Sequence, residues 1–256
     1  MLFDVDQGRF LEIHERLCAY FGCPVAFFHA LDPVSELVSS LLSHRTKNRD
    51  SSTAFRALRE RYADWDAVID APTADIEATI SAATWPEQKA PRIQASLRWI
   101  REERGELSLD FLGELTTEAA RAWLERIPGI GPKTSAAVLI FSRLRMRALP
   151  VDSHHHRVAQ RLGLIPPKLD VGPAHAVLEA MLPSEWDTQT VYDHHEVMMF
   201  LGQKVCHYQG PKCPDCPLLD LCPTGQARTQ GTTTSGTKTE SAAKRALPRS
   251  GAATLF

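Results

Sequence analysis

The sequence predicts an all-α protein. Three observations carry that reading: apolar residues recur at three- and four-residue spacing along most of the chain, no segment alternates apolar and polar residues as a half-buried strand must, and Pro, Gly and Asp punctuate the periodic runs at short intervals. The 256 residues are 43% hydrophobic and 23% charged, enough for one large core or two small ones and unlike a disordered or collagen-like chain. No apolar run reaches the roughly eighteen residues of a membrane span. The opening Met1-Leu2-Phe3-Asp4-Val5-Asp6 carries acids where a secretory signal needs cations, so a cytoplasmic protein without membrane attachment is expected.

The elements follow in order. Phe10, Ile13, Leu17 and Phe21 form the stripe of a first helix. Leu37, Leu41 and Leu42 form that of a second, entered through Asp32-Pro33, an N-cap followed by a residue that needs no N–H donor. Further helices are predicted over 52–62, 74–82, 88–103, 117–126, 133–144, 153–162, 172–181 and 192–201, with Thr73-Ala74-Asp75 and Thr117-Glu118 among the start signals. From Thr224 onward, Thr, Ser, Gly, Ala and Lys dominate without periodicity, which predicts a disordered basic tail over 224–256.

The net charge of -2 hides a segregation. Between Arg121 and Arg161, Arg121, Arg126, Lys133, Arg143, Arg145, Arg147, Arg157 and Arg161 face only Glu125 and Asp152, and the remainder of the chain outside the tail is acidic. That pattern fits either a nucleic-acid footprint or a solvated basic helix face.

Within the basic stretch lies Leu124-Glu125-Arg126-Ile127-Pro128-Gly129-Ile130-Gly131-Pro132-Lys133-Thr134-Ser135. It reads as a helix-hairpin-helix: a helix ends at Ile127, Gly129 and Gly131 permit a tight turn, and a second helix begins near Pro132. The turn of Gly129, Ile130 and Gly131 exposes backbone N–H groups at a helix N-terminus, where an anion such as a nucleic-acid phosphate is favoured. Nineteen residues past Lys133, Pro150-Val151-Asp152-Ser153-His154 opens another helix. Asp152 there is either a helix cap or, with Lys133, part of a reactive pair. Cys206, Cys213, Cys216 and Cys222, spaced C-x6-C-x2-C-x5-C, can wrap one metal centre, and spacing alone allows zinc or an iron–sulfur cube. In a reducing compartment a disulfide framework is not expected; Cys18 and Cys23 read as small buried hydrophobes.

The hairpin, the downstream V-D-S-H and the cysteine loop, in this order, resemble the endonuclease III family of base-excision DNA glycosylases over roughly residues 10–223. The resemblance implies a helix-hairpin-helix glycosylase fold: a six-helix barrel domain over 26–145, and a second domain from 1–25 and 146–223 holding a [4Fe-4S] cluster on the four cysteines. It implies that Lys133 is the nucleophile, forming a Schiff base whose β-elimination nicks the strand, and that Asp152 helps deprotonate it and stabilises the sugar cation. The implied partner is double-stranded DNA with oxidised pyrimidines or abasic sites, bound by a monomer in a bacterial-type, nucleoid-associated setting. Lys212 beside Cys213 resembles the family's phosphate-contacting loop, and His154 matches a histidine that supports the site by hydrogen bonding.

Departures from the family pattern fall on the expected DNA contacts. In Leu41-Leu42-Ser43-His44-Arg45-Thr46-Lys47-Asn48, Arg45 replaces the glutamine that fills the space left by a flipped base, and Asn48 replaces an aspartate. A guanidinium can stack on and donate to an orphaned base. Trp85 stands where the family has an apolar wedge; core packing is its alternative. The run His154-His155-His156 cannot converge on one ion from a helix, because consecutive side chains diverge, and His194 and His195 read as structural. A silent iron–sulfur DNA-binding protein is the competing reading, against which Lys133 and Asp152 speak.

Overall fold

The computed structural model describes residues 7–230; the acidic opening and the tail beyond Gln230 lie outside the described residues. Among the described residues twelve α-helices follow one another: α1 (Gln7–Phe21), α2 (Pro33–Ser43), α3 (Asn48–Arg61), α4 (Trp65–Asp70), α5 (Thr73–Thr79), α6 (Pro86–Arg104), α7 (Thr117–Leu124), α8 (Pro132–Phe141), α9 (Ser153–Leu162), α10 (Val171–Glu179), α11 (Thr188–Lys204) and α12 (Pro223–Gln230). No strand occurs among the described residues. None of these helices is long and apolar enough to cross a membrane.

Side-chain oxygens start several of them. Asp32 caps α2 through Ser35 N at 2.9 Å, Asp64 caps α4 through Ala67 N at 2.8 Å, and Thr116 caps α7 through Ala119 N. Gly105, at φ 75°, ends α6 in the left-handed conformation that only glycine takes without penalty.

The helices enclose two hydrophobic cores. One draws on α2 to α8, from Val34 to Ala148, with Leu37, Leu41, Ile93, Leu97 and Leu139 fully covered. The other draws on both ends of the described chain: Phe10, Ile13 and Leu17 of α1 meet Val158, Leu178, Tyr192, Met198 and Leu218. Helix α8 is the wall between them. Ala136, Val138 and Leu139 face the first core, Ala137, Ile140 and Phe141 the second, so eight of its ten residues are buried. A helix in that position must be apolar all round, which the run Ala136 to Phe141 is, while the buried hydroxyl of Ser135 is satisfied by Glu125. Each fully buried Leu or Ile there contributes about 1.5–3 kcal/mol.

Three expectations need correction. The chain after Cys222 is helical to Gln230, because Pro223 opens α12 with its fixed φ and Gly225 packs against Leu219 and Cys222. Cys18 and Cys23 are bonded to each other; the reversal at Gly22 after α1 brings their Cα atoms to 5.0 Å. The helix predicted over 133–144 ends at Phe141, where Ser142 turns extended and Arg143 N bonds to Leu31 O.

Candidate active site

The fold places the start of α8 at the seam of the two cores, and Lys133 sits in its first turn. Lys133 is half-buried, and no hydrogen bond or ion pair holds its ammonium among the described residues. Loss of water lowers its pKa, opposed by the charges of Asp152 and Glu36. Asp152 arrives from the second core at the head of α9. Its Oδ1 accepts from His155 N at 2.7 Å, so Asp152 is the N-cap of α9. Burial works to raise its pKa, but His195, the His155 N–H and the charges of His155 and His154 outweigh it, and the net shift is downward.

Around this pair the structure gathers four further groups. His44, at the end of α2, lies 3.1 Å from Thr134 Oγ1 through Nε2; burial, then Lys133, Arg92 and Lys89, lower it to about 4. Glu36 of α2 is fully buried and faces Lys133 from the first core. His195 of α11 is buried beside both Asp152 and Lys133, lowered to about 4 by burial. Lys89 Nζ closes the end of α2, donating to Leu42 O at 2.6 Å, His44 O at 2.9 Å and Thr46 Oγ1 at 2.6 Å. Sequence reasoning missed Glu36, His195 and Lys89. For Glu36 a signal existed: a lone acid in Pro33-Val34-Ser35-Glu36-Leu37-Val38, on a helix apolar enough to be covered on every side.

The hairpin turn is as expected at one glycine and not at the other. Gly129 has φ 82°, and a Cβ there would come within 2.6 Å of the flexible Arg92 side chain. Gly131 is extended and a Cβ on it meets nothing, so the fold itself does not require glycine there. Ile130 is buried and anchors the turn.

Arg45 and Trp85 lie together on the surface, the guanidinium 5.7 Å from the ring centroid. Trp85 is 44% exposed, so core packing does not explain it. Both have positive φ, 52° and 55°, a conformation costing a non-glycine residue about 1–2 kcal/mol. Asn48 opens α3 with no capping role, since Lys47 precedes the helix without a side-chain bond.

The basic stretch turns out to be spent internally. Arg121 pairs with Glu179, Arg126 with Glu103 and Arg143 with Asp110. Arg145 donates to His29 O and Phe141 O, and Arg147 to Pro183 O and Trp186 O. Arg157 reaches Cys206 O and Gly202 O, and Arg161 reaches Cys206 O, His207 O and Tyr208 O. These arginines staple loops; Arg45, Lys47, Arg49 and Arg92 are also exposed, Arg92 donating to Gly129 O of the hairpin turn at 2.9 Å and Arg49 pairing with Asp50. His154 likewise pairs with its own helix, its Nδ1 3.2 Å from Arg157 Nη2.

Cys206, Cys213, Cys216 and Cys222 line one cavity with Arg161, Lys212 and Gly225, and all four are free thiols. Arg161 Nη1 lies 3.2 Å from Cys206 Sγ, and Gly225 N donates to Cys222 Sγ at 3.2 Å. Burial pushes the Cys216 thiol up to about 11. Among the described residues no three His, Cys, Asp or Glu side chains converge tightly enough to hold a single metal ion. Lys212 is exposed at the rim of this loop.

No family model matches the chain. It is 31% identical over 188 residues, 72% of its length, to an Arabidopsis thaliana protein bearing the provisional name of a DNA glycosylase, and spans 64% of that relative. It is 29% identical to endonuclease III of Thermotoga maritima, covering 78% of this chain and 87% of that one. Among solved structures, a trapped endonuclease III–DNA covalent intermediate matches with a TM-score of 0.74 at 24% identity, over 87% of this chain and 98% of that one. A thermostable thymine-DNA glycosylase matches with a TM-score of 0.69 at 18% identity, over 88% of this chain and all of that one. These two structures establish the fold.

Proposed function

Because the chain belongs to the endonuclease III family, we propose that it is a base-excision repair DNA glycosylase that also cleaves at abasic sites. One observation carries the reading: an amine, Lys133, stands untethered in the first turn of the second hairpin helix, partly dehydrated and faced by the carboxylate of Asp152. A lysine in such a place sheds its proton more readily than in water and becomes a nucleophile. Attack on the anomeric carbon of a flipped-out nucleotide expels the base and leaves a Schiff base, and β-elimination then breaks the strand. Asp152, whose carboxylate accepts the His155 N–H, stabilises the positive charge that develops on the sugar.

DNA lies across the hairpin turn, with the N–H groups at the start of α8 on a phosphate. The stacked Arg45 and Trp85 form the element that enters the duplex, and oxidised pyrimidines are the substrate class. Cys206, Cys213, Cys216 and Cys222 hold a [4Fe-4S] cluster. The donor set supports this: four thiols share one cavity, N–H groups of Arg161 and Gly225 are aimed at sulfur, and thiolates on the four corners of a cube stand further apart than four on one ion. When bound, the cluster cross-links the loop that Arg157 and Arg161 grip.

Borohydride reduction of the enzyme mixed with an abasic-site duplex tests the reading. Wild-type protein is expected to trap covalently, and Lys133→Gln to lose trapping while keeping affinity within about tenfold, since backbone grip rests elsewhere. A Lys133→Gln protein that still traps would assign the chemistry to another amine.

A further inference from the structure

Resting on that reading, we propose that Lys89 and Thr46 are positioning residues for the duplex-opening element: together they hold Arg45 and Trp85 in their stacked, strained conformations before DNA arrives.

Lys89 lies in the first turn of α6 and grips both flanks of the pair. Its backbone N–H donates to Trp85 O at 3.1 Å. The residue is only 6% exposed, and its ammonium has three protons for three acceptors, Leu42 O, His44 O and Thr46 Oγ1. Arg45 is thereby bracketed through the residue before it and the residue after it. Thr46 closes the link to the other loop. Its Oγ1 also accepts from Thr84 N at 3.2 Å, one residue before Trp85, and its hydroxyl donates to His44 O at 3.3 Å. One turn beyond Lys89, Arg92 Nη2 donates to Gly129 O at 2.9 Å, which ties the same end of α6 to the hairpin turn.

A cap for α2 would account for the bond to Leu42 O alone. The remaining bonds surround backbone strain. Among the described residues three non-glycine residues have positive φ, and Arg45 and Trp85 are two of them. Such conformations persist only where the surroundings over-determine them, and here the surroundings are this one network. Burying an ammonium is itself costly; burial lowers the Lys89 pKa to about 8, and no carboxylate pairs with it among the described residues. What the network fixes is a guanidinium and an indole, both exposed, 5.7 Å apart and outside both hydrophobic cores. A side chain that is already ordered loses less freedom on entering a base stack than one that is free to turn.

Single-turnover borohydride trapping tests this by comparing an abasic site in a fully paired duplex with the same site inside an unpaired bubble flanked by duplex, where no stack has to be opened. Lys89→Met keeps the stem and loses the donors; Thr46→Val keeps the shape and loses the hydroxyl. Each is expected to slow trapping on the paired duplex by about tenfold or more and to leave the bubble at the wild-type rate. Thr46→Ser, which keeps the hydroxyl, should retain the paired rate. Trp85→Ala should give the same split, and Lys89→Met added to it should slow trapping little further, because both act through one element. Equal slowing on the two substrates, as a loosened fold would give, overturns the proposal, and so does an unchanged paired rate or full additivity with Trp85→Ala. If Lys89→Met does not fold, Thr46→Val against Thr46→Ser decides. Wild-type protein that traps neither substrate removes the lyase reading and the proposal with it, a failure seen in the wild type rather than in the variants.

Discussion

Asp152→Asn separates what Asp152 does for the fold from what it does for the reaction. Asparagine keeps the oxygen that accepts from His155 N, and Asp and Asn are comparable N-caps, so α9 should start at the same place. Only the interaction of the negative charge with the helix N-terminus is lost, about 0.3–1 kcal/mol. For a chain of this size that lowers Tm by at most about 4 °C. The chemical loss is of another order. Removing the charge beside the developing sugar cation should slow base release by about 10²–10⁴-fold, or about 3–5 kcal/mol of barrier. Trapping on a duplex that is already abasic should fall less. No base has to leave, and Lys133 loses a charge that favours its ammonium, so it deprotonates more easily. The assay compares single-turnover release of an oxidised pyrimidine with trapping on abasic DNA, alongside a thermal melt. Equal losses in both reactions, or a melt lowered by tens of degrees, would refute the reasoning.

Gly202→Ala should be poorly tolerated, because a Cβ would lie 2.7 Å from His154 Cβ and 3.2 Å from its Cα where α11 crosses α9; a loss of about 1–3 kcal/mol, read as the shift of the melt, is expected. Stability should fall steeply below about pH 6.5. His155 and His194 are held well below 6.5 by burial, and His195 and His29 near about 4, so the unfolded chain takes up protons that the folded chain refuses. Each such histidine removes up to about 1.4 kcal/mol per pH unit until its folded pKa is reached. Melts at pH 5 and 6.5 that coincide would contradict this. Protein as purified should contain roughly four irons and absorb in the visible region, and Cys213→Ala should lose both the colour and much of the stability; a colourless protein with one zinc would refute the cluster.

The periodic helices and the three motifs were legible because their signals are local. α9 is predicted to the residue, and Lys133 and Asp152 stand at helix starts as the sequence has them, their roles being what the resemblance implies. Short or compositionally weak elements were not: α4 has six residues and α12 is built of Pro, Thr, Gly and Gln, so each owes its form to neighbours. Charge density misled for a related reason. The sequence shows where an arginine is attached, and only the fold shows that Arg147 or Arg161 ends on a backbone carbonyl.

The second core has a consequence for the order in which the protein is made. The first core is continuous in sequence and can close as soon as α8 has left the ribosome. The second cannot: Phe10, Ile13 and Leu17 wait for α11, and Arg16 and Arg9 of α1 wait for Asp220 and Leu221. Throughout most of translation α1 carries an uncovered apolar stripe, so it is the segment that a nascent-chain chaperone meets. Lys133 is in place once the first core closes, whereas Asp152 is fixed only when α9 docks on α11. The proposed pair of Lys133 and Asp152 therefore comes together late, with the closure of the second core rather than the first.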